Sequence, residues 1–369
     1  MRSSALKPFL QRAWDITHSG ARVAMVMDDH RMAVNAASRE YYESCGLETL
    51  QMRKWSPFTC GTSRYVAYDL EQVPRSLRYL TVIGRAFDCH TERNPLAPWR
   101  WHEFLTATVI TEESIATHVS SSKGALQRLR SLGLERAYLF GTGPSLDRAT
   151  EFDYSDGYRI VCNTIVKNVE LLEFLNPHVI AAGDALYHFS ETSHARQFRH
   201  DLLRWLQQST TLFLYPAQYD QSLRALLPLQ VHDQLVPIPQ GRGRSFLPGL
   251  ATDFALPNLG NVLNLLLLPI GAYLAHHISL LGFDGRDPNA TGFWRNSGAN
   301  SYPELLEELN LDYPSFRQLF VPDDDPERYV RDVLGDALRG RILELAHAGF
   351  VLDLLSPSHL TGLRDLPVI

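Results

Sequence analysis

The chain has 369 residues, of which 45% are hydrophobic and 21% charged, and its formal net charge is −6. That length holds one large or two ordinary domains with a sizeable buried core, and the composition is that of a globular protein. An acidic balance without any run of basic residues excludes a general nucleic-acid binder.

Cys45, Cys60, Cys89 and Cys162 have neither metal-ligand spacing nor the layout of a disulfide framework, which points to a reducing compartment. The opening "MRSSALKPFLQRAWD" is amphipathic and has no long apolar stretch, so it does not read as a signal peptide. Residues 1–130 form a less regular region, expected to be a smaller α/β module. Within it, 21–29 and 79–87 read as strands and 31–46 as a helix ended by Gly46, while 94–104 is a loop rich in Pro and Trp. Residues 111–133 read as a helix running to Gly133 and leading into the next unit.

From 134 onward, apolar strands alternate with helical patterns. Strands are expected near 137–141, 159–162, 178–182, 211–214, 277–281 and 349–353, with helices near 164–175, 195–208, 218–229, 258–274 and 326–347. Alternation of this kind implies an α/β fold, a mostly parallel sheet with helices on both faces. The segment 261–283 is apolar enough to suggest a membrane span. Pro269, Gly271 and the His276-His277 pair interrupt it, so it reads as a buried helix followed by a buried strand. His276 and His277 then stand at a strand entrance and are expected to be structural. Residues 241–249 read as a mobile loop.

Ligands of such sheets lie beyond the carboxyl ends of the strands. There the sequence places Gly141-Thr142-Gly143-Pro144-Ser145, Cys162-Asn163-Thr164, Gly183-Asp184 and Gly282-Phe283-Asp284. Each has a local explanation, since Asn and Asp cap helices and Gly makes turns. Their convergence on one sheet edge points to a nucleotide-sized site. The Gly-Thr-Gly-Pro-Ser-Leu run is neither a dinucleotide fingerprint nor a P-loop. Asn163 offers an amide and a carbonyl to a base or ribose edge, and Asp184 can accept from sugar hydroxyls.

"GTGPSL" (141–146), "VCN" (161–163), "NLGNVLNLLLL" (258–268), "LLGFD" (280–284) and "HAGFVLDLLSPSHLTGL" (347–363) together resemble the bacterial sialyltransferase-like glycosyltransferases. The wider superfamily includes motility-associated flagellin glycosyltransferases and hydroxymethylpterin diphosphokinase-like proteins. The resemblance covers about 134–365, with Thr142 where the family carries Asn. It implies a Rossmann-like catalytic domain over 134–369. The activity implied is metal-independent, inverting transfer of sialic acid, Kdo or a related sugar from a CMP-linked donor to a glycan or polysaccharide acceptor. No further cofactor is implied. Gly141, Thr142, Gly143, Pro144, Ser145, Asn163, Asp184, Gly260, Asn261 and Asp284 would line the nucleotide site. Tyr302 and Tyr313, helped by Arg286 and Arg295, would stabilise the leaving phosphate. The same superfamily leaves open a diphosphokinase or other nucleotide-dependent transferase, or a non-catalytic partner whose nucleotide site has decayed. The expected setting is cytoplasmic, extending to peripheral contact with the inner membrane face and to a homo-oligomer.

Glycosyl transfer needs a base for the acceptor hydroxyl. The family's histidine before the last long helix is missing from "RQLFVPDDDPERYV" (317–330), where Asp323, Asp324 and Asp325 stand instead. Asp325 before Pro326 reads as a helix cap, which leaves Asp323 and Asp324 as candidate bases. His188, and with it His194, follows Asp184 at the same edge and is the other candidate, expected on a solvated loop. The 285–302 stretch reads as a long loop able to act as a lid.

Overall fold

The computed structural model describes strands at 22–26, 48–52, 65–68 and 85–88, and then residues 112–369 apart from 191, 242–248, 258, 286–296, 313–327 and 329. The four early strands, β1 (Arg22–Val26), β2 (Glu48–Met52), β3 (Tyr65–Tyr68) and β4 (Arg85–Asp88), pair in parallel in the order β2-β1-β3-β4. β1 falls within the strand expected over 21–29, and β4 overlaps the end of the one expected over 79–87. The helix expected over 31–46 and the loop over 94–104 lie outside the described residues.

A helix, α1 (Glu112–Arg130), leads into a second sheet and ends with Gly133 at φ +66°, a backbone conformation that glycine adopts without strain. The sheet contains β5 (Arg136–Phe140), β6 (Gly157–Cys162), β7 (Val179–Ala181), β8 (Leu212–Pro216), β9 (Leu235–Ile238), β10 (His277–Leu281) and β11 (Val351–Leu354). All seven are parallel, in the order β11-β10-β5-β6-β7-β8-β9. The expected α/β, Rossmann-like architecture is therefore present. The strand missing from the pattern reading is β9, whose sequence is Leu-Val-Pro-Ile. Pro237 argues against a central strand, but β9 lies at an edge and bonds only to β8, where a missing N–H is tolerated. At the other edge, β11 is met by the segment Pro367–Ile369: Leu354 N–H donates to Pro367 O and Ile369 N–H to Leu354 O.

Side-chain alternation along the strands divides the core in two. Ala137 and Leu139 of β5, Ile160 of β6 and Leu280 of β10 join one apolar cluster with Leu126 of α1. The same cluster takes in α5 (Leu268–Leu274) and α7 (Leu338–His347). Tyr138, Phe140 and Val161 point the other way, into a cluster with α2 (Val169–Leu175), α3 (Ser193–Leu206) and α4 (Asp220–Leu226). Both faces of the sheet are thus covered. The segment 261–283 proves to be the buried helix α5 and the buried strand β10, and no helix among the described residues is long and apolar enough to cross a membrane. Helix α6 (Pro303–Asp312) is not picked out by the pattern reading.

Among the described residues, three helical stretches carry π-helical turns: Ala185–Phe189, Leu263–Leu267 ahead of α5, and Val330–Ala337 ahead of α7. The first follows β7 directly. The other two open helices that run back to feed β10 and β11. All three turns therefore lie at the carboxyl edge of the sheet. Turns of this kind are rare and concentrate at functional sites.

Leu139, in the second half of β5, is fully buried and packs against Gly271 of α5. Leu139→Ala is expected to cost about 2–5 kcal/mol in a denaturant titration, the usual range for a leucine removed from a close-packed core. A loss below about 1 kcal/mol would contradict that packing.

Candidate functional site

The strands after β5 progress to one side as far as β9, and then the chain returns to place β10 on the other side of β5. The strand order reverses between β5 and β10, and the crevice at such a switch point is where open α/β sheets bind ligands. The two loops at this point are Gly141–Ser145 and Gly282–Asp284, and they are bonded into one another. Gly141 N–H donates to Leu281 O at 2.8 Å and Gly143 N–H to Gly282 O at 2.8 Å. Gly282 N–H donates to Ser145 Oγ at 3.0 Å, and Ser145 N–H reaches both carboxylate oxygens of Asp284 at 3.1 Å.

This interlock accounts for the glycines. A Cβ on Gly141 would lie 2.4 Å from Gly282 O, and one on Gly143 would lie 2.2 Å from Asp284 Oδ2. On Gly282, which also has φ +80°, a Cβ would lie 2.2 Å from Gly141 O. On the side where a Cβ would stand, the space beside these glycines is filled by the neighbouring loop. Asp284 is likewise a brace for the Gly-Thr-Gly-Pro-Ser loop, taking the Ser145 amide that an anion would use. Pro144 opens a short 3₁₀ helix, Pro144–Glu151, where its lack of an N–H costs nothing.

Other expected site residues also have local partners. Asp184 accepts the N–H groups of Leu186 and Tyr187 and so caps the first π-helical turn. Asn261, at φ 72°, accepts Leu263 N–H at 2.8 Å and starts the helical run into α5, while Gly260 beside it is exposed. Tyr302 is buried and its hydroxyl donates to Asp201 at 2.6 Å. Burial raises its pKa, and the Asp201 carboxylate adds to the effect. Arg286, Arg295, Tyr313, Asp323, Asp324 and Asp325 lie outside the described residues.

His188 is not on a solvated loop. It is 3% exposed, its ring lies 4.5 Å from that of Phe198, and its Nδ1 contacts the Asp184 backbone. Burial, with the charges of His194 and Arg199, pushes its pKa down to about 3. The expectation of a solvated loop position for His188 is corrected accordingly. His194 is also buried and lowered in pKa by burial, with Nδ1 against Tyr187 O. His276 stacks on Phe350, and His277 bonds to Asp353 at the opposite edge, as expected of structural residues.

Asn163 stands apart. It sits at the end of β6 in the left-handed region, at φ 51°, and its Oδ1 is buried with no hydrogen-bond partner among the described residues. Over the same edge runs Ser297–Ser301, the described end of the expected loop. Ser297 N–H donates to Thr142 O at 2.9 Å, and its hydroxyl donates to Asp147. Thr164 Oγ1 donates to Asn300 O at 2.6 Å, and Lys167 Nζ donates to Ser301 O. Sequence reasoning missed Asp147, Lys167 and Asn300. Their only signal is adjacency to strand-end motifs or to the Gly- and Asn-rich run.

A cavity of about 470 Å³ lies beside this segment, among Lys167, Gln197, Asp201, Arg204 and Tyr302. Another, of about 380 Å³, lies at the amino edge of the sheet near Arg128, Arg159 and His178. Arg159 there donates to the carbonyls of Tyr154, Gly157 and Asn176, so it serves the backbone. The carboxyl edge is the better candidate on topology. Searches for a matching family model, a similar curated protein and a similar solved structure each found no match.

Two outcomes follow from this geometry. Gly282→Ala should destabilise the fold by more than about 1 kcal/mol from its positive φ alone, with the clash against Gly141 O adding to it. An unchanged melting temperature would refute the interlock. The second concerns acid. Because His188 has a folded-state pKa near 3, below its ordinary 6.5, the unfolded chain takes up the proton first. Its contribution to stability is complete above about pH 6.5 and falls as pH drops towards 3, by up to about 1.4 kcal/mol per pH unit. Denaturant midpoints measured from pH 7 to pH 5 should fall less steeply in His188→Leu than in the wild type. Equal slopes would mean that His188 is not held neutral.

Proposed function

We propose that the switch-point crevice binds a nucleotide, and that the chain is a glycosyltransferase using a CMP-linked sugar such as sialic acid, Kdo or a relative. The observation that carries the nucleotide part is Asn163, whose buried and unpartnered Oδ1 stands at a strand end beside the β5–β10 crevice. An orphaned carbonyl of this kind calls for an N–H or O–H donor, from a ligand or from an ordered water that a ligand would displace. The transfer chemistry rests on the resemblance of the Gly-Thr-Gly-Pro-Ser-Leu and Gly-Phe-Asp motifs to the sialyltransferase-like enzymes.

In this reading the base and ribose lie towards Asn163. With the Ser145 amide already engaged by Asp284, the leaving phosphate is neutralised by side chains, Arg286 and Arg295 among them. The acceptor hydroxyl gives its proton to Asp323 or Asp324 as the glycosidic bond forms, and the nucleotide leaves with the electron pair of the broken bond.

A thermal-shift panel of CMP, CDP, UMP, UDP, GDP and ATP tests the reading, since a ligand of the native state stabilises it by mass action. CMP should raise the melting temperature most. Asn163→Ala should stay folded and lose about 1–3 kcal/mol of CMP affinity, the cost of one removed hydrogen-bonding group. A response confined to ATP would favour a phosphoryl-transfer enzyme instead, and unchanged CMP affinity in the variant would place the site elsewhere.

A further inference from the structure

The backbone of Ser297–Ser301 is tied down from several directions. Thr142 O accepts from Ser297 N–H, Thr164 donates to Asn300 O, and Lys167 donates to Ser301 O. The side chain of Asn300 contrasts with this. It is 0% exposed, and neither Oδ1 nor Nδ2 has a hydrogen-bond partner among the described residues. An amide offers two donors and two acceptor lone pairs, so leaving all of them unmet in the interior is costly. Native proteins keep few such groups, and each one asks for an explanation. Packing alone does not supply it, because an apolar side chain would fill the space without that cost.

A second orphan lies close by. Asn163 Oδ1 is buried and unpartnered, and Asn163 immediately precedes Thr164, the residue that holds the Asn300 carbonyl. Two amides on two separate segments are thus brought to the end of β6 with unmet polar atoms. Between them they ask for donors to two carbonyl oxygens and an acceptor for one NH₂ group.

We propose that Asn300 is a specificity-determining residue that, together with Asn163, reads a nucleobase edge carrying an exocyclic amine beside a ring acceptor. This rests on the nucleotide reading above and adds to it the residue that chooses the base. Cytosine and adenine present such an edge. Uracil presents a single ring N–H between two carbonyls, so it leaves one asparagine carbonyl without a donor. Sites built to hydrogen-bond a ligand reject the analogue that leaves their own polar atoms unpaired.

The test uses calorimetric titration of the full chain with CMP, AMP and UMP, together with melting curves taken without nucleotide. The wild type should bind CMP or AMP more tightly than UMP. Asn300→Ala should bind the preferred nucleotide about 10- to 100-fold more weakly, and its preference over UMP should shrink towards parity. Its nucleotide-free melting temperature should stay within about 2 °C of the wild type, because the replaced amide had no partners to lose. Asn300→Ser retains one hydroxyl and should fall between the two in affinity; it carries the same comparison if the alanine variant does not fold. Wild-type binding that is unchanged in both variants overturns the inference and leaves the nucleotide reading standing. So does a fall of about 5 °C or more in the nucleotide-free melting temperature with no change in base preference, which would mark Asn300 as structural. If the wild type binds none of the three, the nucleotide reading fails and the inference fails with it.

Discussion

The carboxyl edge depends on the contact between two glycines. Gly141 and Gly282 end adjacent strands, and each stands where a Cβ would run into the other's backbone carbonyl. Only with both side chains absent can the chains after β5 and β10 cross closely enough for Gly143 N–H to reach Gly282 O and for Asp284 to reach Ser145 N–H. Those bonds fix where the 3₁₀ helix Pro144–Glu151 begins. They also fix the position of Thr142, whose carbonyl holds Ser297. The strap across the edge is therefore positioned, through a chain of short hydrogen bonds, by the absence of two methyl-sized groups.

Around this rigid joint the polar groups divide into two kinds. Asp284, Asp184, Asn261 and Tyr302 are committed to the protein itself, as brace, caps and a buried phenol–carboxylate pair. Asn163 and Asn300 are buried with unmet atoms. A low-dielectric interior makes satisfied groups strong anchors and unsatisfied ones expensive, so the contrast is energetic as well as geometric. It separates residues that build the edge from those with unspent hydrogen-bonding capacity.

Much of the architecture was legible in the sequence because it rests on periodicity. Six of the seven strands in the larger sheet lie close to their expected positions, since buried parallel strands are short apolar runs bounded by turn residues. Strand β9 escaped because Pro237 masks it, and α6 because a loop-like composition leads into it. The site was legible as a place more than as a set of roles. Chain order put Gly141–Ser145, Asn163 and Asp284 at one edge, but no spacing rule says that an aspartate will face a neighbouring amide. Nor could a one-dimensional pattern show that His188 turns inward against Phe198. Asn300 carried no signal of its own, because its isolation arises from contacts made across more than a hundred residues of chain.

The two borders of the larger sheet bear on how copies of this chain could associate. On one side Pro237 removes a donor from β9, and beyond that strand Gln240 bridges to Leu256. On the other, the Pro367–Ile369 tail folds back over the end of β11 and occupies Leu354 on both its N–H and its carbonyl. A strand offered by another molecule would meet a gap in the hydrogen-bond ladder on the first side and an occupied rung on the second. Unprotected edges are where sheets fuse between molecules, and proline and covering segments are among the means by which proteins prevent it. Among the described residues, self-association by continuing this seven-stranded sheet is thus obstructed at both ends.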